Sequence, residues 1–175
     1  DIINKITEPA PRNGMRGSSV CAGGNPFAAA AYAELVEVFM KIILDVMGAD
    51  RPAKELIQGA VLAKSEYQTD IVLVGNERII REALTALEVS ADMFEIVHSD
   101  DVITMEDSPM SVFQTHKDSS MAKTLKLVAD GEGDAAVSAG NTGAYFTGAT
   151  LIVRRIRGIR RAALGTILPF ANPVM

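Results

Sequence analysis

Residues 41–46 read KIILDV, a short, β-branched and nearly continuous apolar run. A strand with one wet face alternates apolar and polar residues. A run without alternation fits a parallel strand covered on both faces. The same signature returns in DIVLVG (70–75), FEIVHS (94–99), DAAVSAG (134–140) and AALGTILP (162–169). Helix patterns lie between these runs. PAKELIQGAVLAKSEY (52–67) opens on Pro52 and sets Leu56, Ala60 and Ala63 on an inner face. NERIIREALTALEV (76–89) is capped by Asn76 and turns Ile79, Ile80, Ala83, Leu84 and Leu87 inward. SPMSVFQTHK (108–117) and SSMAKTLKLVADG (119–131) read as successive helices, the second stopped by Gly131. NTGAYFTGATLIVRRI (141–156) reads as one more. This rhythm predicts an α/β fold, a mostly parallel sheet with helices on both faces in three layers.

Ligands of such sheets gather beyond the carboxyl ends of the strands. The polar stretches DVMGAD (45–50), HSDDVITMEDSP (98–109) and SAGNTG (138–143) fall at those ends. They are expected to converge on one crevice.

The chain has 175 residues, 48% hydrophobic composition and a mean hydropathy of +0.18, as a folded domain with a sizeable core requires. It contains no apolar run of the roughly 18 residues that a membrane-spanning helix needs, and its start lacks the basic-then-apolar order of a secretory signal. Cys21 is the single cysteine, which rules out an intramolecular disulfide and suits a reducing cytoplasm. A net charge of −5 disfavours nucleic acid as a partner. Positive charge is concentrated in Arg154, Arg155, Arg157, Arg160 and Arg161. These complement the end of the preceding helix and face solvent, or they meet an acidic partner.

Residues 1–39 do not share the strand–helix rhythm. They read as an N-terminal extension, loop-like over TEPAPRNGMRGSSVCAGGNP (7–26), with an amphipathic helix over 26–39 capped by Asn25. Residues 40–175 form the α/β unit, expected to be incomplete at its C-terminus and part of a longer protein.

SAGNTGA (138–144) carries the most chemistry. Gly140 and Gly143 let a ligand approach the backbone. The helix that follows points N–H groups and a partial positive charge into the turn, and Asn141 and Thr142 add side-chain donors. The turn matches neither the dinucleotide fingerprint nor the Walker pattern. In HKDSSM (116–121), Asp118 or Ser119 caps the helix that follows, or Lys117, Ser119 and Ser120 add further donors to an anion site. Asp45 and Asp50 flank Gly48 and orient a donor or hold a metal; two carboxylates do not define a metal site. Asp100, Asp101, Glu106 and Asp107 read as a solvated acidic loop. His98 and His116 lack metal-ligand spacing and read as structural or surface residues.

MKIILDVMGAD, DIVLVGNE, IVHSDDVITMEDSP, KDSSM, GDAAVSAGNTGA and GTILP, in this order, resemble the N-terminal part of the PlsX family of bacterial phosphate acyltransferases. Val46 and Ala49 depart from the family's first loop, which reads D-A-M-G-G-D. The resemblance implies an isocitrate/isopropylmalate dehydrogenase-like fold and transfer of a fatty acyl group from acyl carrier protein to inorganic phosphate. It further implies a homodimer at full length and peripheral membrane contact through regions absent here, while nothing in the sequence demands a metal or an organic cofactor. On this reading Ser119, Ser120, Ser138, Gly140, Asn141, Thr142 and Gly143 bind phosphate, while Asp45, Asp50, Lys117 and Asn141 serve catalysis. Rival expectations are a phosphate acetyltransferase-like enzyme, a metal-dependent hydroxyacid dehydrogenase, or a non-catalytic anion-binding fragment.

Overall fold

The computed structural model describes residues 40–165. The extension and its expected helix over 26–39 lie outside these residues, as do positions 166–169 of the expected fifth strand. The described elements are β1 (Lys41–Asp45), α1 (Ala53–Tyr67), β2 (Asp70–Gly75), α2 (Glu77–Ala86), β3 (Glu95–His98), α3 (Ser111–Gln114), α4 (Ser120–Ala129), β4 (Ala135–Ser138) and α5 (Thr142–Gly148). A single 3₁₀ turn, Ala91–Met93, leads into β3. All strand pairs are parallel, in the order β3-β2-β1-β4.

Strand β2 shows why the apolar run does not alternate. Ile71 and Leu73 join Ile57, Ala60, Ile80 and Leu84 in a core beneath α1 and α2. Val72 and Val74 face the other way and pack with Ile43, Leu127 and Val128 beneath α4. Successive side chains of one strand therefore enter two cores, and the three expected layers are present. A third cluster of Ile103, Val112, Met121, Ala122, Leu125 and Ala144 joins the loop after β3 to α3, α4 and α5.

Several local expectations hold at the residues named. Asn76 caps α2 by accepting from the Ile79 N–H at 3.2 Å. Gly131 adopts φ +79° just beyond α4, where the expected stop lies. Others need correction. On α1 the buried residues are Ile57 and Ala60, and Leu56 and Ala63 are only partly buried, because the apolar face is rotated toward Ile57. The helix expected over 108–117 shrinks to Ser111–Gln114. The helix expected over 141–156 ends earlier: α5 passes into one π-helical turn, Ala149–Val153, and Arg154 stops it at φ +75°. Residues 162–165 have no strand conformation.

Leu73 is fully buried in the central part of the sheet. Leu73→Ala is expected to destabilise the fold by about 2–5 kcal/mol, the range for a leucine truncated in a close-packed core. Chemical denaturation of the two proteins measures this; a loss under about 1 kcal/mol would mean that α1 and α2 are not packed on β2 as described.

Candidate functional site

Asp45 ends β1 and Ser138 ends β4, and the two are register partners. Strands β2 and β3 lie on one side of β1 and β4 on the other, so chain order reverses between β1 and β4. In doubly wound sheets such a reversal is where a crevice forms at the carboxyl ends of the strands and ligands are held.

Side-chain alternation sends Asp45 to the same face as Ile43, toward α4, and leaves it 1% exposed. Its Oδ2 accepts from Ser138 Oγ at 2.9 Å, and its Oδ1 accepts from the Met47 N–H at 3.1 Å. The Ser120 hydroxyl also binds this carboxylate. Burial pushes the Asp45 carboxyl up from its ordinary value, and these hydrogen bonds only partly offset the shift. Ser138 Oγ in turn accepts from the Gly140 N–H at 3.1 Å. One buried carboxylate thus joins β1, the start of α4 and the loop after β4. Tyr145 of α5 lies close enough for the Asp45 charge to matter. Burial first and that charge second raise its phenol, whose Oη donates to the Ala136 carbonyl at 2.7 Å.

Asn141 is the second junction. Its Oδ1 accepts from the Ala144 N–H at 3.0 Å and caps α5. Its Nδ2 donates to the carbonyls of Thr104 (3.1 Å), Met105 (3.3 Å) and Asp107 (3.0 Å). The side chain expected to donate to phosphate therefore directs its amide hydrogens at the 104–107 turn. Ser119 is engaged in the same way: its Oγ caps α4 at the Ala122 N–H and donates to the His116 carbonyl at 2.8 Å. Thr142 is exposed, and Gly143 faces Pro109 closely enough that a Cβ would lie 3.0 Å from Pro109 Cγ.

The structure thus brings Asp45, Ser120, Ser138 and Gly140 into one network, with Asn141, Thr142 and Gly143 continuing from Gly140. Lys117 and Asp50 lie on the surface. The Lys117 carbonyl accepts from Lys126 Nζ at 2.7 Å. Gly48 supports the network from beneath. It adopts φ +70°, and a Cβ there would sit 2.5 Å from the Ile103 carbonyl oxygen. The fold accommodates the two departures from the family's first loop. Val46 fills the core at 1% exposure, and Ala49 is not among the residues at positive φ.

The acidic loop is more ordered than a solvated one. Asp107 Oδ2 accepts from Thr104 N at 2.7 Å and from Thr104 Oγ1 at 2.9 Å. These two bonds, backbone first, hold its carboxyl below the ordinary value. Asp101 meets His116 Nδ1 at 2.7 Å, and Asp100 meets His98 Nε2 at 3.1 Å. His98 Nδ1 accepts from the Glu77 N–H at 3.2 Å, which places the ring hydrogen on Nε2. Both histidines hydrogen-bond within the loop region, His98 at the surface and His116 half-buried. Sequence reasoning missed Tyr145 and the Thr104–Asp107 pair; the T-x-x-D spacing of 104–107 was the available signal for the latter. Among the described residues no three His, Cys, Asp or Glu side chains converge on a metal position. No described helix is long and apolar enough to cross a membrane. A wide hollow of about 830 Å³ along α2, bounded by Asn76, Arg78, Arg81, Glu82, Thr85 and His98, shares no lining residue with the Asp45 network. Its charges pair with each other, Arg78 with Glu82 and Arg81 with Glu77.

A parallel sheet whose order reverses over a buried carboxylate and a helix-opening turn places the protein in the doubly wound α/β class, whose ligands bind at such a switch point. A family model described as "Fatty acid synthesis protein" matches residues 40–175. The chain belongs to this family, the PlsX family. Relatives named phosphate acyltransferase include one from Clostridioides difficile, 41% identical over 130 residues, or 74% of this chain and 38% of the relative. Others come from Thermotoga neapolitana (46% identical; 74% of this chain, 37% of the relative) and Dictyoglomus turgidum (42% identical; 74% and 39%). The chain thus spans 37–39% of the length of these relatives.

The Asp45 geometry has a consequence for pH. A carboxyl raised in the folded state binds more protons there than in the unfolded chain, so it lowers stability as pH rises from its ordinary value through its raised one. Asp45→Asn is expected to flatten that part of the stability curve and leave alkaline values parallel to wild type. Denaturation midpoints across a pH series give the difference curve. A difference that does not vary with pH in that interval would refute the buried, proton-favouring setting of Asp45.

Proposed function

We propose that the whole protein transfers a fatty acyl group from acyl carrier protein to inorganic phosphate, giving acyl phosphate. The observation that carries this reading is the Ser138–Gly143 turn, held at the β1/β4 crevice by the Asp45 network and opening a helix. The family membership and the names of the relatives support it.

The chemistry needs little from the protein. A phosphate oxygen attacks the thioester carbonyl, the carbonyl π bond opens to an oxyanion, and its collapse expels the thiolate. The proton released by phosphate returns to the sulfur. The attacking group comes from the substrate, so no serine or cysteine nucleophile is required. What remains is to hold phosphate in line and to direct donors at the developing oxyanion. The first N–H groups of a helix have no carbonyl partner within it, so the backbone at Thr142 and Gly143 suits this task. The exposed Thr142 hydroxyl and the Lys117 ammonium are the side-chain donors of the reading. Ser119, Ser120, Ser138, Gly140 and Asn141 shape the turn, and Asp45 orders it. Asp50, at the mouth of the first loop, is the remaining polar group of the site. Action in the cytoplasm, a full-length homodimer and peripheral contact with the inner face of the membrane belong to the same reading.

Phosphate should therefore be a substrate. With long-chain acyl carrier protein, the full-length protein should consume thioester only when phosphate is supplied, and acyl phosphate should accumulate in equal amount. Equal thioester loss in phosphate-free buffer would mean hydrolysis and would end this assignment.

The arginines extend the reading to the carrier. The helical segment ends with Arg154 as its cap, so Arg157, Arg160 and Arg161 lie past its last turn, within which the dipole fades. All five are exposed, on a looped segment closed by a bond from the Ile159 N–H to the Ile156 carbonyl at 3.0 Å and by Arg155 Nη1 on the Arg160 carbonyl. An acidic carrier protein fits this patch. Charge reversal at Arg157 and Arg161 is expected to weaken carrier binding, most at low salt, since exposed charges are screened beyond about 8 Å at physiological ionic strength. An affinity unchanged across a salt titration would leave the patch a solvated surface.

A further inference from the structure

We propose that Asp107 is a positioning residue: with Thr104 and Asn141 it forms a clasp that fixes the 104–107 turn to the start of α5. The inference rests on the reading of the Ser138–Gly143 turn as the anion seat and names what sets that seat's geometry.

The clasp is a chain of hydrogen bonds. The Asp107 carboxylate closes the turn on itself through Thr104 N and Oγ1, at 2.7 and 2.9 Å. Closing the turn brings the carbonyls of Thr104, Met105 and Asp107 round to one point, where Asn141 Nδ2 donates to all three. Carbonyl oxygens gathered in this way repel one another unless a donor sits among them, and an amide with two hydrogens serves this role. The opposite end of the same amide accepts from the Ala144 N–H. Whatever fixes the three carbonyls therefore fixes the orientation of Asn141, and with it the first turn of α5. Asp107 does this from outside the crevice without touching a substrate. Its neighbours leave little freedom for another arrangement. Pro109 lies against Gly143, Ile103 against Gly48, and the Asp101 carbonyl accepts from the Ser120 N–H at 2.9 Å. A displacement of an anion seat by even about 1 Å can cost a hundredfold in rate, so a remote clasp has room to matter.

The test compares Asp107→Ala, Asp107→Asn, Asn141→Ala and the Asp107→Ala/Asn141→Ala double variant in the full-length protein, with inorganic phosphate and acyl carrier protein varied separately. Asp107→Ala is expected to raise the KM for phosphate on the order of tenfold while the KM for the acyl donor moves by less than about twofold. Asp107→Asn keeps an oxygen that accepts from Thr104 and should restore most of the phosphate affinity. The double variant should be no worse than Asn141→Ala alone, because both act through one chain of contacts. Amide hydrogen exchange at Ala144 should quicken in Asp107→Ala and stay near wild type in Asp107→Asn. This readout needs no turnover. If the wild-type protein ignores phosphate, the functional reading fails while the exchange data still decide the clasp. Unchanged exchange at Ala144 in Asp107→Ala would overturn the clasp, and so would additive effects in the double variant. Faster exchange with an unchanged phosphate KM would overturn the positioning role.

Discussion

A carboxylate with about 1% of its surface exposed governs how the loops of this protein are arranged. Taking an ionised carboxylate out of water is costly unless several donors meet it, and each donor removed leaves part of that cost unrelieved. Asp45 finds its donors on three separate segments: the Met47 amide after β1, Ser120 at the start of α4, and Ser138 at the end of β4. None of these segments is free to move without exposing the others to the penalty. Gly48 reinforces the constraint sterically, since its contact with the Ile103 carbonyl leaves no space for a side chain. Satisfying one acid therefore ties the loop after β1, the start of α4 and the end of β4 to one another.

Satisfying the scaffold uses most of the side-chain donors that a sequence reader would assign to a ligand. Ser138 donates to Asp45, Ser119 to the His116 carbonyl, and Asn141 to three carbonyls. Of the side chains expected to be donors, Thr142 and Lys117 are the ones left exposed, and on the proposed function they act beside the backbone that opens α5. Backbone donors suit a small, symmetrical anion better than an elaborate ligand, because they offer position and charge without a shape of their own. They are also pre-ordered, so they require little reorganisation as charge develops.

The fold was readable in the sequence because it depends on patterns repeated along the chain. β-Branched runs, an asparagine cap at Asn76 and a stop at Gly131 each state a local preference that the packing agrees with. The failures arise where local preference gives way to contacts. The sequence after Gly148 continues to look helical, yet the helix widens into a π turn and ends at Arg154. At the site, residue types pointed to Asp45, Ser120, Ser138 and Asn141, but not to how they divide between scaffold and ligand. That division depends on partners 36 or 93 residues away, such as Met105 for Asn141 and Asp45 for Ser138. No local pattern encodes such pairings. Asp107 was hidden for a related reason: within a run of acids it looked like solvated charge, and only its geometry with Thr104 sets it apart.

On the proposed function, an acid beneath an anionic substrate raises an electrostatic difficulty, because two unit charges about 4 Å apart at an effective dielectric near 20 repel by roughly 4 kcal/mol. The arrangement around Asp45 eases this difficulty in two ways. Its oxygens face inward onto hydroxyl and amide donors, so much of its charge is answered locally. Burial also raises its carboxyl above the ordinary value, which makes the neutral form more accessible than on the surface. By linkage, an anion drawn to the Ser138–Gly143 turn then favours proton uptake at Asp45, and a protonated Asp45 favours the anion by the same factor. The acid that orders the crevice is in this way compatible with an anionic substrate, because the features that tolerate its burial also moderate its charge.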